Sequence, residues 1–572
     1  MERIWLAHYP EGVPHDIEPP NVTVPHLLEA SAARWGERPA TIFFGKRITY
    51  RQLWRAARRF ASALAGLGVA PGERLALLLP NCPQAIIAYY GALLAGAIVV
   101  QHNPLYTERE LEFQLNDSES STLVTLEIFY SRIKRLRART SLRRIIITSV
   151  REALPFPLNL LYPLKARRQG YKRRVDTEPS VFQFARLLAE APEAAPEVRL
   201  DPAQTVALLQ YTGGTTGRAK GAMLTHRNLV ANSIQVRHWF VGAEEGREVW
   251  MSVLPFFHVF GMTVCMNVPI SLGACLVLMP QFDLRLLLRS LQKYRVTMFP
   301  GVPAMYVAVV NQPGIERYDL SSVKYCISGA APMPEEVQRR FEALTGATLI
   351  EGYGLTEASP VTHANPLRGR RKIGSIGVAL PSTECKVVDL DSGTREVPPG
   401  EAGDLCVRGP QVMRGYWRRP EEKQAVLRDG WLHTGDVARL DEDGYAYLLE
   451  RKKEIILTGG YNVYPREVEE VLCQHPAVLE AAAVGVPHEK LGEVVQAFVV
   501  LRQGATAEPQ DLVAHCAAGL AAYKVPRTIH LRRELPKTLI GKVLRRVLQE
   551  EARQPAPRQT AAASGEGTEE HP

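Results

Sequence analysis

The stretch 211–221 (YTGGTTGRAKG) limits what this chain can fold into more than any other. An apolar run at 205–210 (TVALLQ) precedes it and reads as a buried strand that stops at the turn. Gly213, Gly214 and Gly217 let backbone approach a bulky anion closely. The hydroxyls of Thr212, Thr215 and Thr216 and the ammonium of Lys220 then supply donors and positive charge at short range. The turn is not a Walker A loop, because no Gly-Lys-Ser/Thr closes it and no helix pattern starts at the lysine. It reads as a polyphosphate cradle at the end of a buried strand.

The surrounding pattern supplies the sheet. Residues 73–100 read as strand (ERLALLLP), helix (QAIIAYYGALLAGA) and strand (IVV), the period of a parallel α/β unit. Short apolar runs ending in Pro or Gly recur near 271–278, 296–300 and 323–329. Between 384 and 408, strand-like TECKVVDL and GDLCVRG flank the turn DSGTREVPPGE, which predicts a smaller antiparallel or barrel-like subdomain before Gly430. A second architecture starts near Arg451. Pro465 fits a first helical position ahead of REVEEVLCQH, strands AAAVGV and VVQAFVVL follow, then a helix near 509–520 and a strand near 528–531. The expectation is an α/β protein. Residues 1–450 form a large domain of parallel α/β subdomains with a small β-barrel-like subdomain. Residues 451–551 form a mobile α+β lid domain, and 552–572 a disordered tail.

With 572 residues the chain exceeds one core. A hydrophobic content of 46% and charged content of 23% are ordinary for a globular enzyme. The formal charge of +9 suits anionic ligands or a membrane surface, and the scattered basic residues form no aromatic-interleaved stripe for nucleic acid. Eight widely spaced cysteines without a C-x-x-C pair favour buried reduced thiols in a cytoplasmic protein. The opening MERIWLAHYPEGVPHD lacks the apolar core of a secretory signal, and no run approaches ~20 apolar residues.

Further segments follow the first in order: 328–332 (SGAAP), 351–357 (EGYGLTE), 430–436 (GWLHTGD), 450–456 (ERKKEII), 459–462 (GGYN) and 536–542 (PKTLIGK). Together they resemble the adenylate-forming superfamily of acyl-CoA synthetases, luciferases and peptide-synthetase adenylation domains. The opening IWLAHYP, NPLYTERELEFQLNDS at 103–118 and TGGTTGRAKGAMLTH at 212–226 are most similar to the bacterial long-chain fatty acid–CoA ligases. Gly213 and Ala219 stand where the superfamily more often has Ser and Pro, a departure found in the long-chain branch.

The resemblance implies ATP, Mg²⁺ and coenzyme A as cofactors and co-substrates, and a fatty acid as substrate. A carboxylate is a poor electrophile, so an acyl-adenylate forms first and a thiolate then displaces AMP. Bringing carboxylate and triphosphate together costs several kcal/mol unless cations and oriented donors neutralise them. By the likeness, the Thr-rich turn with Lys220 holds the β- and γ-phosphates, Glu357 is a Mg²⁺ ligand, and Thr356 sits beside the α-phosphate. Tyr353, between Gly352 and Gly354, stacks on adenine, with the backbone of Gly329, Ala330 and Ala331 on the opposite face. Asp436 accepts the ribose hydroxyls, with Arg451 on the ribose or a phosphate. Lys542 reaches the reacting carboxylate and α-phosphate when the lid closes, and Lys453 matches the pivot. After rotation, Gly459, Gly460 and Tyr461 border the pantetheine channel. His258, in the aromatic turn 255–261 (PFFHVFG), orients the carboxylate or lines the acyl gate; a packing histidine is the competing reading.

Burying about fourteen methylenes at ~0.8 kcal/mol each contributes on the order of 11 kcal/mol, so the end of the acyl tunnel sets chain length. Residues 151–174 place an apolar stretch before Lys165, Arg167, Arg168, Lys172, Arg173 and Arg174, which suits peripheral contact with the inner face of the membrane. Prolines 155, 157 and 163 argue against a long amphipathic helix, and a surface loop packed on the core competes with that contact. A homodimer is also left open. The rival functions are a fatty acyl-AMP ligase loading a carrier protein, a ligase for medium-chain or aromatic acids, and a non-catalytic acyl or nucleotide sensor.

Overall fold

The β-α-β pattern of 73–100 forms strand Arg74–Leu78, helix Pro83–Leu94 and strand Ile98–Gln101 in the computed structural model, which describes residues 3–168, 175–212, 219–459, 461–538 and 541–553. Pro83 occupies the first helical turn, where its missing N–H costs nothing. The helix is buried from Pro83 to Leu93, as an all-round apolar helix must be. The two strands pair in parallel, Leu75 beside Val99. The chain divides into two units, Met1–Leu448 and Leu449–Pro572.

Within the first unit, Ile98–Gln101 continues in parallel to Val206–Thr212, and Arg74–Leu78 continues through Thr122–Leu126 and Arg144–Thr148 to Val181–Gln183. Lys220–Thr225 and Gly415–Tyr416 add two antiparallel strands beyond Val206–Thr212. A second sheet orders Val249–Ser252, Cys275–Leu278, Pro39–Phe43 and Lys46–Thr49. A third runs Tyr325–Ser328, Thr348–Gly354, Val361–Ala364 and Val378–Ala379, its first pair parallel. Of the segment expected near 296–300, only isolated bridges form, Met298 joining Trp250 to Tyr325 and Gly301 meeting Ser328.

Two expectations are corrected. The antiparallel subdomain does not stop before Gly430: Glu384–Val388 and Gly403–Arg408 continue into Trp431–Leu440, which also pairs with Leu427–Arg428. Asp429 and Gly430, at φ 50° and 79°, form a two-residue hairpin turn within that sheet. Residues 158–168 form the helix Leu158–Arg168 despite Pro163 inside it, and not a loop. Six of the eight cysteines are buried as expected, whereas Cys275 is half-buried and Cys473 exposed.

The second unit is a sheet ordered Tyr461–Val463, Ile456–Thr458, Gly492–Leu501 and Val478–His488, with Thr528–Arg532 parallel to Gly492–Leu501. Alternation along its central strands sends Ala483, Val495, Ala497 and Val499 to a core with Val468, Leu472 and Leu512. Ala482, Val484, Val486, Phe498 and Val500 face a second core closed by Leu535 and Leu548. Pro465 opens the helix Pro465–Gln474 at the position expected.

Candidate active site

Val206–Thr212 pairs with Lys220–Thr225 so that Thr212 stands opposite Lys220, and the ladder closes the turn at its base. Gly213, Gly214, Thr215, Thr216 and Gly217 lie outside the described residues. The flanks of the turn are braced. The Tyr211 hydroxyl donates to Asp117 Oδ2 at 2.8 Å, and Arg419 donates to the other oxygen at 2.6 Å. Burial, reinforced by the Asp117 carboxylate, raises the Tyr211 phenol well above its ordinary pKa. Gly221 lies against the Tyr211 ring, 3.4 Å from where a Cβ would stand.

The Lys220 ammonium pairs with Glu422 and lies 5.5 Å from the centre of the Tyr416 ring. The Tyr416 hydroxyl donates to Glu357 Oε1 at 2.8 Å. One phenol therefore joins the lysine of the Thr-rich turn to the carboxylate expected to carry Mg²⁺. Thr356 and Glu357 are half-buried in the single turn Thr356–Ala358, which the Met413 amide ties down by donating to the Glu357 carbonyl at 2.8 Å.

Gly329, Ala330 and Ala331 follow strand Tyr325–Ser328, and Gly352, Tyr353 and Gly354 end strand Thr348–Gly354. These parallel neighbours put two glycines in register with the site. A Cβ on Gly329 would meet the Phe260 ring at 3.1 Å and the Gly352 carbonyl at 3.3 Å; one on Gly354 would meet the Pro360 carbonyl at 2.2 Å. Ala330 takes a left-handed φ of 71°. Tyr353 is half-buried, and its hydroxyl donates to Asp436 Oδ2 at 2.5 Å. The adenine and ribose candidates are thus hydrogen-bonded to each other. Beside Tyr353 in register lies His363, whose imidazole burial pushes down to about 3.

Asp436 lies in Trp431–Leu440 and is 5% exposed. Its amide donates to Thr434 Oγ1 at 3.1 Å, and Thr434 Oγ1 donates to the Leu405 carbonyl at 2.7 Å. Asp404 Oδ1 accepts the Gly435 amide at 3.1 Å, its Oδ2 lies 2.9 Å from His433 Nδ1, and Cys406 Sγ lies 3.3 Å from the same nitrogen. Asp436 therefore stands in a strand whose backbone around Gly435 is tied to Asp404 and Leu405 of the neighbouring strand.

His258 caps the short helix Val259–Met262, its Nδ1 accepting the Phe260 amide at 3.2 Å. The aromatic turn joins the site through its neighbours: Phe260 packs where Gly329 lacks a side chain, and Gln210 Nε2 donates to the Phe257 carbonyl at 2.9 Å.

In the second unit, Arg451 is half-buried, with its amide donating to Glu450 Oε1 at 2.9 Å; Lys453 is exposed in the turn Lys452–Glu454. Gly459 has φ 57°, Gly460 lies outside the described residues, and Tyr461 is 58% exposed and stacked on Tyr523 with ring centres 4.6 Å apart. Lys542 lies in a turn, its amide donating to Thr538 Oγ1 at 3.1 Å and its carbonyl accepting the Thr538 amide at 2.8 Å. The last helix, Arg545–Ala552, begins three residues after Lys542. Arg545 fixes this helix. Its guanidinium donates to Glu469 at 2.8 and 2.9 Å, to Glu454 at 2.5 Å and to Glu450 at 3.1 Å. Burial pushes Glu450 up to about 7 against the pull of Arg545. Burial also opposes ionisation of Glu454, yet Arg545 and Lys542 hold its pKa below the ordinary value.

Tyr416, Glu422, Gln210, Phe260, Asp404 and Arg545 were not singled out by sequence reading. The run 415–419 (GYWRR), aromatic and basic beside a glycine, is the signal for Tyr416. Nothing local marks Asp404 or Arg545, whose partners are distant in sequence.

The chain matches the family model of the AMP-binding enzyme over residues 28–417 and that of the AMP-binding enzyme C-terminal domain over 467–542. It is 47% identical over 551 residues to a long-chain-fatty-acid–CoA ligase of Bacillus subtilis, covering 96% of this chain and 98% of the relative. It is 41% identical over 568 residues to a protein of the same name in Escherichia coli O6:H1, covering 97% and 99%. Among solved structures, ATP-bound MatB from Rhodopseudomonas palustris superposes with a TM-score of 0.81 at 30% identity, covering 93% of this chain and 99% of that one. The anthranilate CoA ligase AuaEII in complex with anthranoyl-AMP gives 0.82 at 27%, covering 94% and 98%. Matched along both units, this chain belongs to the family of AMP-binding enzymes.

Proposed function

We infer that this chain is an ATP-dependent fatty acid–CoA ligase acting on long-chain acids. The single observation that carries the reading is the link Lys220–Tyr416–Glu357 beside the bonded pair Tyr353–Asp436, which gathers phosphate, metal, adenine and ribose groups in one unit. A carboxylate oxygen of the acid attacks the α-phosphorus of ATP, and the bond to pyrophosphate breaks. The thiolate of coenzyme A then attacks the acyl carbon, and the bond to AMP breaks. Lys220 and the Thr-rich turn neutralise the triphosphate so that a second anion can approach. Asp436, fixed by Thr434 and Tyr353, orients the ribose, and Lys542 offsets charge growing at the α-phosphate.

Glu357 suits Mg²⁺, since one oxygen is already oriented by a phenol and the ion takes one or two carboxylates with phosphate oxygens. Bound there, the ion would polarise phosphate oxygens. The long-chain assignment draws on the two relatives at 47% and 41% identity, and coenzyme A as acceptor follows from the same kinship. We place the enzyme in the cytoplasm, where both co-substrates are made, working at the inner membrane face. Among the described residues, no helix is long and apolar enough to cross a membrane.

The test is product analysis with ATP, Mg²⁺, coenzyme A and acids from acetate to palmitate. Pyrophosphate, AMP and palmitoyl-CoA should form together, with turnover rising with chain length. ADP as product, or transfer to a carrier protein in preference to coenzyme A, would overturn the assignment.

A further inference from the structure

We propose that helix Leu158–Arg168 is a docking surface for an anionic lipid bilayer. The proposal deepens the reading of the chain as a fatty acid ligase and rests on it for its purpose, though not for its geometry. Of the sixteen large hydrophobic side chains exposed among the described residues, five fall within 156–164. They are Phe156 (78% exposed), Leu158 (42%), Leu160 (54%), Leu161 (53%) and Leu164 (62%). The other eleven are dispersed from Phe44 to Val547, as single surface hydrophobes ordinarily are. Five together form a patch that water disfavours.

Helical spacing sharpens the point. Leu160, Leu161, Leu164, Arg167 and Arg168 recur at three- and four-residue steps and form one stripe. Ala166, on the other side, is fully buried, and Ala153 and Leu154 just before the helix are buried too. The segment therefore rests on the protein through small or upstream residues and turns its leucines outward, the reverse of a helix that packs on a core.

The ends of the stripe select the partner. Residues 151–168 carry four basic side chains (Arg151, Lys165, Arg167 and Arg168) and one acidic, Glu152. The Glu152 carboxylate is engaged locally by Thr148 and Ser149. Arg167 and Arg168 are exposed, and among the described residues neither pairs with a carboxylate. Leucines followed by two exposed guanidinium groups fit the boundary between acyl chains and phosphate headgroups, with the stems of the arginines following the apolar side. Long-chain carboxylates partition into that layer, so residence there raises the substrate concentration the enzyme meets.

The experiment is sedimentation of the full-length protein with vesicles of phosphatidylcholine alone and of phosphatidylcholine mixed with phosphatidylglycerol. Binding should require the anionic lipid. Reversing charge in R167E/R168E should weaken partition about fivefold per residue. L161S/L164S should weaken it by at least about tenfold, with unchanged melting temperature and unchanged turnover of palmitate delivered on serum albumin. Absence of sedimentation with either vesicle overturns the proposal. So does binding unaltered by both double substitutions, or a dimer in solution that L161S/L164S dissociates, which would assign the patch to a second copy of the chain. Should the parent turn over no fatty acid, the ligase reading fails while sedimentation still decides the docking surface.

Discussion

The two units position their functional groups by different physics. In Met1–Leu448, Tyr353, Glu357 and Lys220 stand at strand ends or in a turn and Asp436 within a strand, in a unit with buried neutral histidines such as His102, His226 and His363. In Leu449–Pro572, Lys542 lies in one small turn, and the helix after it packs Leu548 into the core and sets Arg545 against three carboxylates. In the first unit, neutral phenols hold the carboxylates of Asp436 and Glu357. A charge cluster depends on every member remaining present and correctly ionised. The groups proposed to bind nucleotide thus lean on neutral donors, while the lysine proposed for catalysis lies in a unit where loss of one ion or proton is felt.

The sharpest break in this comparison is Lys542→Ala. Pyrophosphate release should fall by about three orders of magnitude, the cost of removing charge stabilisation from a transition state. Preformed acyl-adenylate should still react with coenzyme A at near the parent rate. Equal loss of both steps would remove the distinction between the units.

Arg545→Ala should come next. It leaves Glu450, Glu454 and Glu469 facing one another and should destabilise the second unit by about 3 kcal/mol. Amide exchange across Gly492–Leu501 should accelerate. All seven tryptophans lie before residue 449, so the melt followed by their fluorescence should stay near that of the parent. Unchanged exchange would show that the helix is not held by charge.

The units should also respond oppositely to pH. Burial lowers His102 and His226 to about 4 and His363 to about 3, below the ordinary value of roughly 6.5. Between those values the unfolded chain binds protons that the folded one refuses. Stability of the first unit, full above about pH 6.5, should fall as pH drops toward 4 by up to about 1.4 kcal/mol per histidine per pH unit. Glu450, raised to about 7, keeps its proton in the fold, so its contribution is full below about pH 4.5 and lost as pH rises toward 7. Tryptophan fluorescence and amide exchange, read on the same samples, should therefore shift in opposite directions; parallel shifts would contradict the assignment.

Asp436→Asn is the mildest change, because the amide keeps the Tyr353 contact and loses only charge. KM for ATP should rise about tenfold, equivalent to about 1.4 kcal/mol, with kcat changed far less. A larger fall in kcat than in affinity would move Asp436 from binding to chemistry.

The sequence revealed most where function and local pattern coincide. The parallel sheet was legible because strand Arg74–Leu78, helix Pro83–Leu94 and strand Ile98–Gln101 each carry their own periodicity and end at Pro or Gly. The candidate site segments stand out as short motifs, and the fold brings Tyr353 to Asp436. What escaped was pairing over distance: Tyr416 meets Glu357 across 59 positions, and Arg545 meets Glu450 across 95. No window along the chain contains both partners. The antiparallel subdomain extends past Gly430 because positive φ at Asp429 and Gly430 turns the chain back as a hairpin. The helix Leu158–Arg168 was missed because three prolines outweighed its spacing, although Pro163 removes only one donor within it.

The central claim is that phosphorus is attacked before carbon, and the path of oxygen decides it. Palmitate carrying heavy oxygen in its carboxylate, turned over with ATP and coenzyme A, should deliver one labelled oxygen to the phosphate of AMP for each thioester formed. Label in inorganic phosphate, or unlabelled AMP beside labelled palmitoyl-CoA only, would contradict an acyl-adenylate route.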